Sequence, residues 1–201
     1  MKLYYRPGAC SISPHIALCE AGIPHQLDHV DLQAKKTESG ADYLAINPKG
    51  YVPALQLDNG EVLVEGAAIV QYISDQKPES GLAPKAGTME RYRLMEWLTF
   101  ISSELHKGFS PLFNAAMPDA AKKIFRDRLA QRWAYVDKQL AGKNYLMGST
   151  FTVADGYLYN MARWAKRVDL DLSGCPNVTA FAARVEARPK VVEALKAEGL
   201  M

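Results

Sequence analysis

The chain has little charge imbalance, few cysteines and no long apolar run, and each shortage removes a class of function. Lys and Arg number 24 against 22 Asp and Glu. The formal charge of +2 therefore sets up no field strong enough to gather polyanions, and nucleic acid is not an expected partner. Nowhere do about 18 apolar residues follow one another, the length at which a membrane span is read, so no membrane partner is expected either. The first residues, MKLYYRPGACS, hold one Lys and then polar and turn-forming residues where a signal peptide would carry an apolar stretch and a small-residue site. A soluble, cytoplasmic protein is the expectation. Three cysteines, Cys10, Cys19 and Cys175, make an odd count without metal-ligand spacing, the pattern of reduced thiols. At opposite ends of one helix, Cys10 and Cys19 would stand about 13 Å apart, beyond the Cα separation of about 7 Å that a disulfide spans.

What the chain does have is an apolar fraction of 48% over 201 residues, ample for a packed core in one large domain or two small ones. Its texture changes near residue 80. Before that point, KLYY (2–5) reads as a strand, SPHIALCEAG as a short helix closed by Gly22, and QLDHVDL (26–32) as a strand. A polar segment around Lys35 and Lys36 follows. Asn59-Gly60 then separates PALQL from EVLV at hairpin distance, and a helix begins near Gly66. This order, β-α-β then β-β-α, predicts a small α/β domain over 1–80 whose sheet mixes parallel and antiparallel pairs.

Residues 77–88, KPESGLAPKAGT, are rich in Pro, Gly and small polar residues, and 81–88 are read as a linker. From Met89 to the end, apolar residues recur at helical steps: Leu94, Leu98, Ile101 and Leu105; Phe125, Leu129, Trp133, Val136 and Leu140; Ala154, Leu158, Met161, Ala165 and Val168. An all-α bundle over 89–201 is expected. In FTVADGYL, Thr152 stands as N-cap with Asp155 three residues on, a variant of the capping box with a structural role. Phe151 offers half of a hydrophobic staple, but Gly156 holds the partner position.

Cys10 lies after a Pro-Gly turn and before the first helix. A thiol attacks as thiolate, and its pKa falls at a helix N-terminus, where unpaired N–H groups point outward. Position alone serves a reactive thiol and an inert buried one equally. Ser11 or Ser13 would cap the helix, with Pro14 in its first turn. Cys10-Ser11-Ile12-Ser13 is C-x-x-S, without the second thiol of a dithiol redox pair, so resolving a mixed disulfide would need a small external thiol.

Two further features stand near it in the same domain. Pro53 opens the strand of YVPALQL. Base rates favour a trans bond there, whereas a cis Val52-Pro53 bond would turn the Val52 backbone outward to pair with an extended peptide. Glu65-Gly66 marks the passage from hairpin to helix. There a carboxylate that can hold an ammonium sits beside N–H groups that can hold a carboxylate, the two ends of an α-amino acid. Alternatively, Glu65 simply complements the helix dipole.

Together these features resemble the cytosolic glutathione transferases: a thiol at the first helix, a VPAL element, an acidic residue before a helix, a linker, and a helical domain with an FTVAD box. GACSISPHIAL, NPKGYVPAL, EGAAIVQY and SSELHKGFSPLF are similar to the bacterial beta class over essentially the whole chain. The resemblance implies a thioredoxin-like N-terminal domain that binds glutathione and an all-α domain forming the electrophile site, with the electrophile in a cleft between them. It implies Cys10 at the glutathione sulfur, Val52 pairing with the cysteinyl backbone, Glu65 and Gly66 at the γ-glutamyl end, and Lys35 at the glycine carboxylate. It also implies a homodimer, with Ser103 and Glu104 near the neighbouring subunit's glutathione. Thr99 departs from the class, whose members usually carry Asn in that region.

Thr99, Ser103, His106 and Ser110 fall at steps of four, three and four, so they form one polar stripe beside the apolar one, expected to face the cleft. From that stripe His106 and Lys107 would lower the thiol pKa with positive charge or hydrogen-bond donors. Without the family match they read as a solvated helix end. His15 and Cys19 are four apart on the first helix but lack the terminal dipole, and His25 and His29 sit in a strand, where that spacing does not converge. No metal and no cofactor are assigned, glutathione being a co-substrate. The leading expectation is transfer of glutathione to small hydrophobic electrophiles in detoxification, dehalogenation included. The alternatives are a thiol-disulfide oxidoreductase working through a Cys10 mixed disulfide and a non-catalytic binding protein.

Overall fold

A computed structural model describes residues 1–201. The first part runs β1 (Lys2–Tyr5), α1 (Ile12–Ala21), β2 (Gln26–Asp31), β3 (Lys36–Thr37), α2 (Tyr43–Ile46), β4 (Ala54–Gln56), β5 (Val62–Val64) and α3 (Gly66–Gln76). The sheet order is β3-β2-β1-β4-β5. β1 pairs with β2 in parallel, Leu3 beside Leu27, and with β4 in antiparallel, Leu3 beside Leu55. β4 and β5 form the hairpin that Asn59-Gly60 signalled. The mixed α/β sheet of a thioredoxin-like domain is therefore present. β3 and α2 arise within the polar segment that the sequence left without structure. Asp42 caps α2 by accepting the Leu44 N–H at 3.0 Å, a local signal at the N-cap position.

Strand alternation in β2 turns Asp28 and Val30 inward. A buried carboxylate must be satisfied. Asp28 accepts the Ser39 hydroxyl at 2.6 Å and the Ser39 N–H at 3.3 Å, with the Lys2 ammonium 3.7 Å away. α1 is buried on nearly every side because α3 and α9 (Pro189–Ala197) both pack on it, so its run of small and apolar residues carries no single stripe. It ends at Gly22, whose φ of +63° is the left-handed conformation that glycine adopts without steric cost.

The second part contains α4 (Met89–Phe100), a π-helical stretch Ile101–His106, α5 (Lys107–Phe109), α6 (Asp119–Leu140), α7 (Val153–Arg167) and α8 (Pro176–Glu186). The predicted stripes are its core: Leu94, Leu98, Ile101, Leu105, Leu129, Trp133, Val136, Leu140, Leu158 and Met161 are all buried. Only Phe125 stays half-exposed. Gly108 permits α5 to approach α6, since a Cβ there would lie 2.9 Å from Leu129 Cδ2. At the start of α7, buried Asp155 accepts from the Thr152 N–H, the Thr152 hydroxyl and the Leu146 N–H, at 2.8, 2.9 and 2.8 Å. Phe151 packs edge-on against Tyr145 at 5.6 Å, so no staple is needed.

The compact units are Met1–Ala83 with Arg188–Met201, and Pro84–Ala187. The division expected at 89–201 is thus revised at its C-terminal end. α9 joins the α/β unit because Val191, Ala194 and Leu195 are buried and Arg188 forks onto Glu20 at 2.6 and 2.8 Å, a charge-assisted bidentate pair.

Candidate functional site

Residues 6–11 join β1 to α1 and carry Cys10. Ser11 occupies the N-cap position but caps nothing. Its hydroxyl instead accepts the Arg6 N–H at 3.1 Å and donates to the Arg6 carbonyl at 3.2 Å. Ser13 is buried and its hydroxyl has no partner. Capping by either serine is therefore corrected: the hydroxyl that was to close the helix closes the loop. From below, Glu198 accepts the Gly8 N–H at 3.2 Å with one carboxylate oxygen and meets His15 Nδ1 at 2.9 Å with the other. The thiol loop is thus tied to the buried Glu198, near the end of the chain. Cys10 is partly exposed and donates from Sγ to the Val52 carbonyl at 3.1 Å.

Segment 47–53 faces that thiol. The Tyr51 carbonyl accepts from the Tyr43 hydroxyl and from Asn47 Nδ2, both at 2.7 Å. The Val52 side chain packs into the cluster of Tyr4, Val30, Tyr43 and Ala54. The Val52-Pro53 bond is cis, against the base rate. A Cβ on Gly66 would lie 3.8 Å from Pro53 Cγ, in ordinary contact, so the start of α3 stands beside this element. Burial pushes the Tyr43 phenol up to about 12, which keeps its hydroxyl a donor at any physiological pH.

Two lysines grip the same segment. Lys35, at φ +55°, donates to the Gly50 carbonyl at 3.1 Å. Lys49 meets Glu65 at 2.6 Å. Glu65 has a φ of +72°, an uncommon conformation for a residue with a Cβ that costs on the order of 1 to 3 kcal/mol. Such strain is held where the position of a side chain matters. The fold therefore brings Cys10, Val52, Pro53 and Gly66 together, with Lys35 and Glu65 on the same segment's flanks.

In the helical unit the stripe geometry changes. A π turn bonds i to i+5, so the steps of a straight helix do not carry through Ile101–His106. Thr99 and Ser103 stay exposed and linked, Ser103 Oγ donating to the Thr99 carbonyl at 2.9 Å. Glu104 pairs with Arg132 at 2.7 Å, and Lys107 is exposed. His106 leaves the exposed row: its Nδ1 is 2.6 Å from the Tyr157 hydroxyl and its ring lies 5.0 Å from that of Trp164. Tyr157 and Trp164 went unremarked in the sequence, although they lie seven apart on α7, two turns along one face.

The remaining cysteines are buried. Burial pushes the Cys19 thiol up to about 12 and raises that of Cys175, so neither has the thiolate character of a nucleophile. No helix is long and apolar enough to cross a membrane.

A thioredoxin-like unit with a partly exposed cysteine at its first helix, joined to a unit of helices, defines the class: two-domain proteins that present a thiol beside the first helix of an α/β unit. Residues 9–76 match the family described as "Glutathione S-transferase, N-terminal domain", and residues 100–189 match "Glutathione S-transferase, C-terminal domain". The glutathione S-transferase GstA of Escherichia coli O157:H7 is 46% identical over 200 residues, covering 100% of both chains. Two solved structures, a sphingomonad glutathione S-transferase complexed with glutathione and a bacterial beta-class glutathione S-transferase of Sphingomonas chungbukensis, each share 49% identity. Each has a TM-score of 0.97 and covers 100% of both chains. The chain belongs to the glutathione S-transferase family, and its structural neighbours are of the bacterial beta class. It is accordingly an enzyme, a glutathione transferase.

Proposed function

We propose that glutathione is the co-substrate, that the α/β unit holds it along Cys10, Val52, Glu65, Gly66 and Lys35, and that the acceptor is a small apolar electrophile. The observation that carries this reading is the meeting of the Cys10 thiol with the Val52 carbonyl at 3.1 Å, beside the strained Glu65 at the start of α3. A tripeptide thiol with a free amino end matches that set: sulfur to sulfur, backbone to the Val52 backbone, ammonium to carboxylate, and the carboxylate of the same amino acid to N–H groups at the α3 start. Lys35 supplies charge for the glycine carboxylate. Holding both reactants converts an encounter in solution into a positioned one.

In the helical unit we assign Thr99, Ser103, Glu104 and Lys107 to glutathione binding and His106 to catalysis. The Tyr157 hydroxyl, 2.6 Å from Nδ1, fixes the orientation of the His106 ring. Met89, Tyr92 and Met95 are exposed along one side of α4, an apolar surface that supports a homodimer. A cytoplasmic setting accords with three cysteines that form no disulfide. The curated relative's name, a glutathione S-transferase, favours transfer over the mixed-disulfide alternative.

Steady-state kinetics with a model aryl halide at saturating glutathione test the reading. His106→Ala should lose at least tenfold in rate. Cys10→Ala should abolish reduction of mixed disulfides while conjugation persists, because glutathione brings its own thiol. Full activity in the His106 variant removes its catalytic role; loss of both activities in the Cys10 variant makes this cysteine essential to transfer.

A further inference from the structure

Away from the thiol site, the fold assembles a cluster that the sequence spacing concealed. A ring nitrogen of His15, the sulfur of Cys19 and a ring nitrogen of His25 all lie within 4.8 Å of one another. His15 and Cys19 meet because they stand one turn apart on α1. His25 meets them because Gly22 ends the helix in the left-handed conformation and turns the chain back before β2. Its ring stands edge-on to that of His15, with centroids 5.4 Å apart.

We propose that His15, Cys19 and His25 bind a single thiophilic divalent cation of the zinc type. Two imidazoles and a thiol are the ligand chemistry such ions select. Each ring is already oriented as a metal-bound histidine is, its second nitrogen held by an acceptor. Nδ1 of His15 meets the buried Glu198 carboxylate at 2.9 Å, and Nδ1 of His25 meets the Ile23 carbonyl at 2.8 Å. Nε2 is thereby the coordinating atom on both rings.

The charges also close. On binding, the Cys19 S–H bond is replaced by a sulfur–metal bond and the proton leaves to solvent. The thiolate and the Glu198 carboxylate then balance the two positive charges of the ion. Neutrality matters in a buried site, where an uncompensated charge is costly. A tetrahedral ion with bonds of about 2.0 to 2.3 Å brings its ligand atoms to about 3.3 to 3.7 Å apart. With its ligand atoms within 4.8 Å of one another, the cluster must contract by at most about 1.5 Å. His25, half-buried and in the turn, is the member placed to move. It also lines an open groove of about 420 Å³ with Met1, Lys2, Pro24 and Gln56, so the His25 side of the cluster meets solvent, the source of a fourth ligand.

The test uses the full chain carrying Cys10→Ser, so that the partly exposed thiol does not compete, stripped of metal and free of small thiols. Co²⁺ is titrated while the sulfur-to-cobalt charge-transfer absorption is followed, and Zn²⁺ is then added as competitor. One equivalent of Co²⁺ should give that absorption, and Zn²⁺ should bleach it. Cys19→Ala should remove it, His25→Gln should weaken binding at least tenfold, and Cys175→Ala should change nothing. Should Cys19→Ala fail to fold, the half-buried His25→Gln decides. Absence of the absorption at ten equivalents, or its survival unchanged in His25→Gln, overturns the proposal.

Discussion

The two compact units solve the problem of positioning side chains differently. Pro84–Ala187 does it with long helices whose buried stripes interlock, and its polar residues hang on that frame. Met1–Ala83 with Arg188–Met201 does it with strands of two to six residues and short loops, fixed by polar contacts between residues far apart in sequence. Glu198 holding Gly8 across 190 residues is the clearest case. The difference teaches where each unit is vulnerable. The helical unit fails when a buried group loses its partners, whereas the α/β unit loses the shape of its thiol site before its stability.

Asp155→Ala should have the largest effect, since it strands three donors in the core of the helical unit. About 3 kcal/mol of stability should be lost, read from the denaturant midpoint at unchanged slope. Glu198→Ala should cost about 2 kcal/mol and release the Gly8 amide to fast hydrogen exchange, while α4 and α7 keep their protection. If amides in both units open together, the contrast between them is broken.

A pH series sharpens the comparison. The Tyr43 phenol, raised from 10.0 to about 12 by burial, is protonated in the folded state over a range where the unfolded chain ionises. Its contribution is complete below pH 10 and is lost as pH rises towards 12, on the order of 2 kcal/mol. Chemical denaturation across that window should show the loss, and Tyr43→Phe should reduce it by that share, the buried Cys19 and Tyr159 keeping theirs. Smallest is Lys49→Ala. Its ion pair with Glu65 is exposed, with side-chain accessibilities of 53% and 68%, so stability should shift by no more than about 0.5 kcal/mol. Freed from Lys49, Glu65 should hold glutathione at least as tightly, as calorimetry would show.

Much of the fold was legible because hydrophobic period survives folding. The stripes ending at Leu105, Leu140 and Val168 are the helical core, and KLYY, Gly22 and Asn59-Gly60 mark the strand, cap and hairpin they suggested. β3 and α2 were not legible, since their apolar content is too small to show a period. The site divides in the same way. Cys10, Val52 and Glu65 stood out through turn chemistry and element boundaries. The Lys49–Glu65 pair, the Glu198 tie and the approach of His25 to His15 and Cys19 depend on residues that only the tertiary fold brings together. His106 lies between these cases: its place on the helix was evident, but the π turn that hands it to Tyr157 leaves no mark in composition.

In a crystal structure of this chain with glutathione, the tripeptide's sulfur should lie against Cys10 Sγ, its cysteinyl backbone should pair with Val52, and its ammonium should meet Glu65. A tripeptide bound with its sulfur away from Cys10, or its amino end away from Glu65, would contradict it.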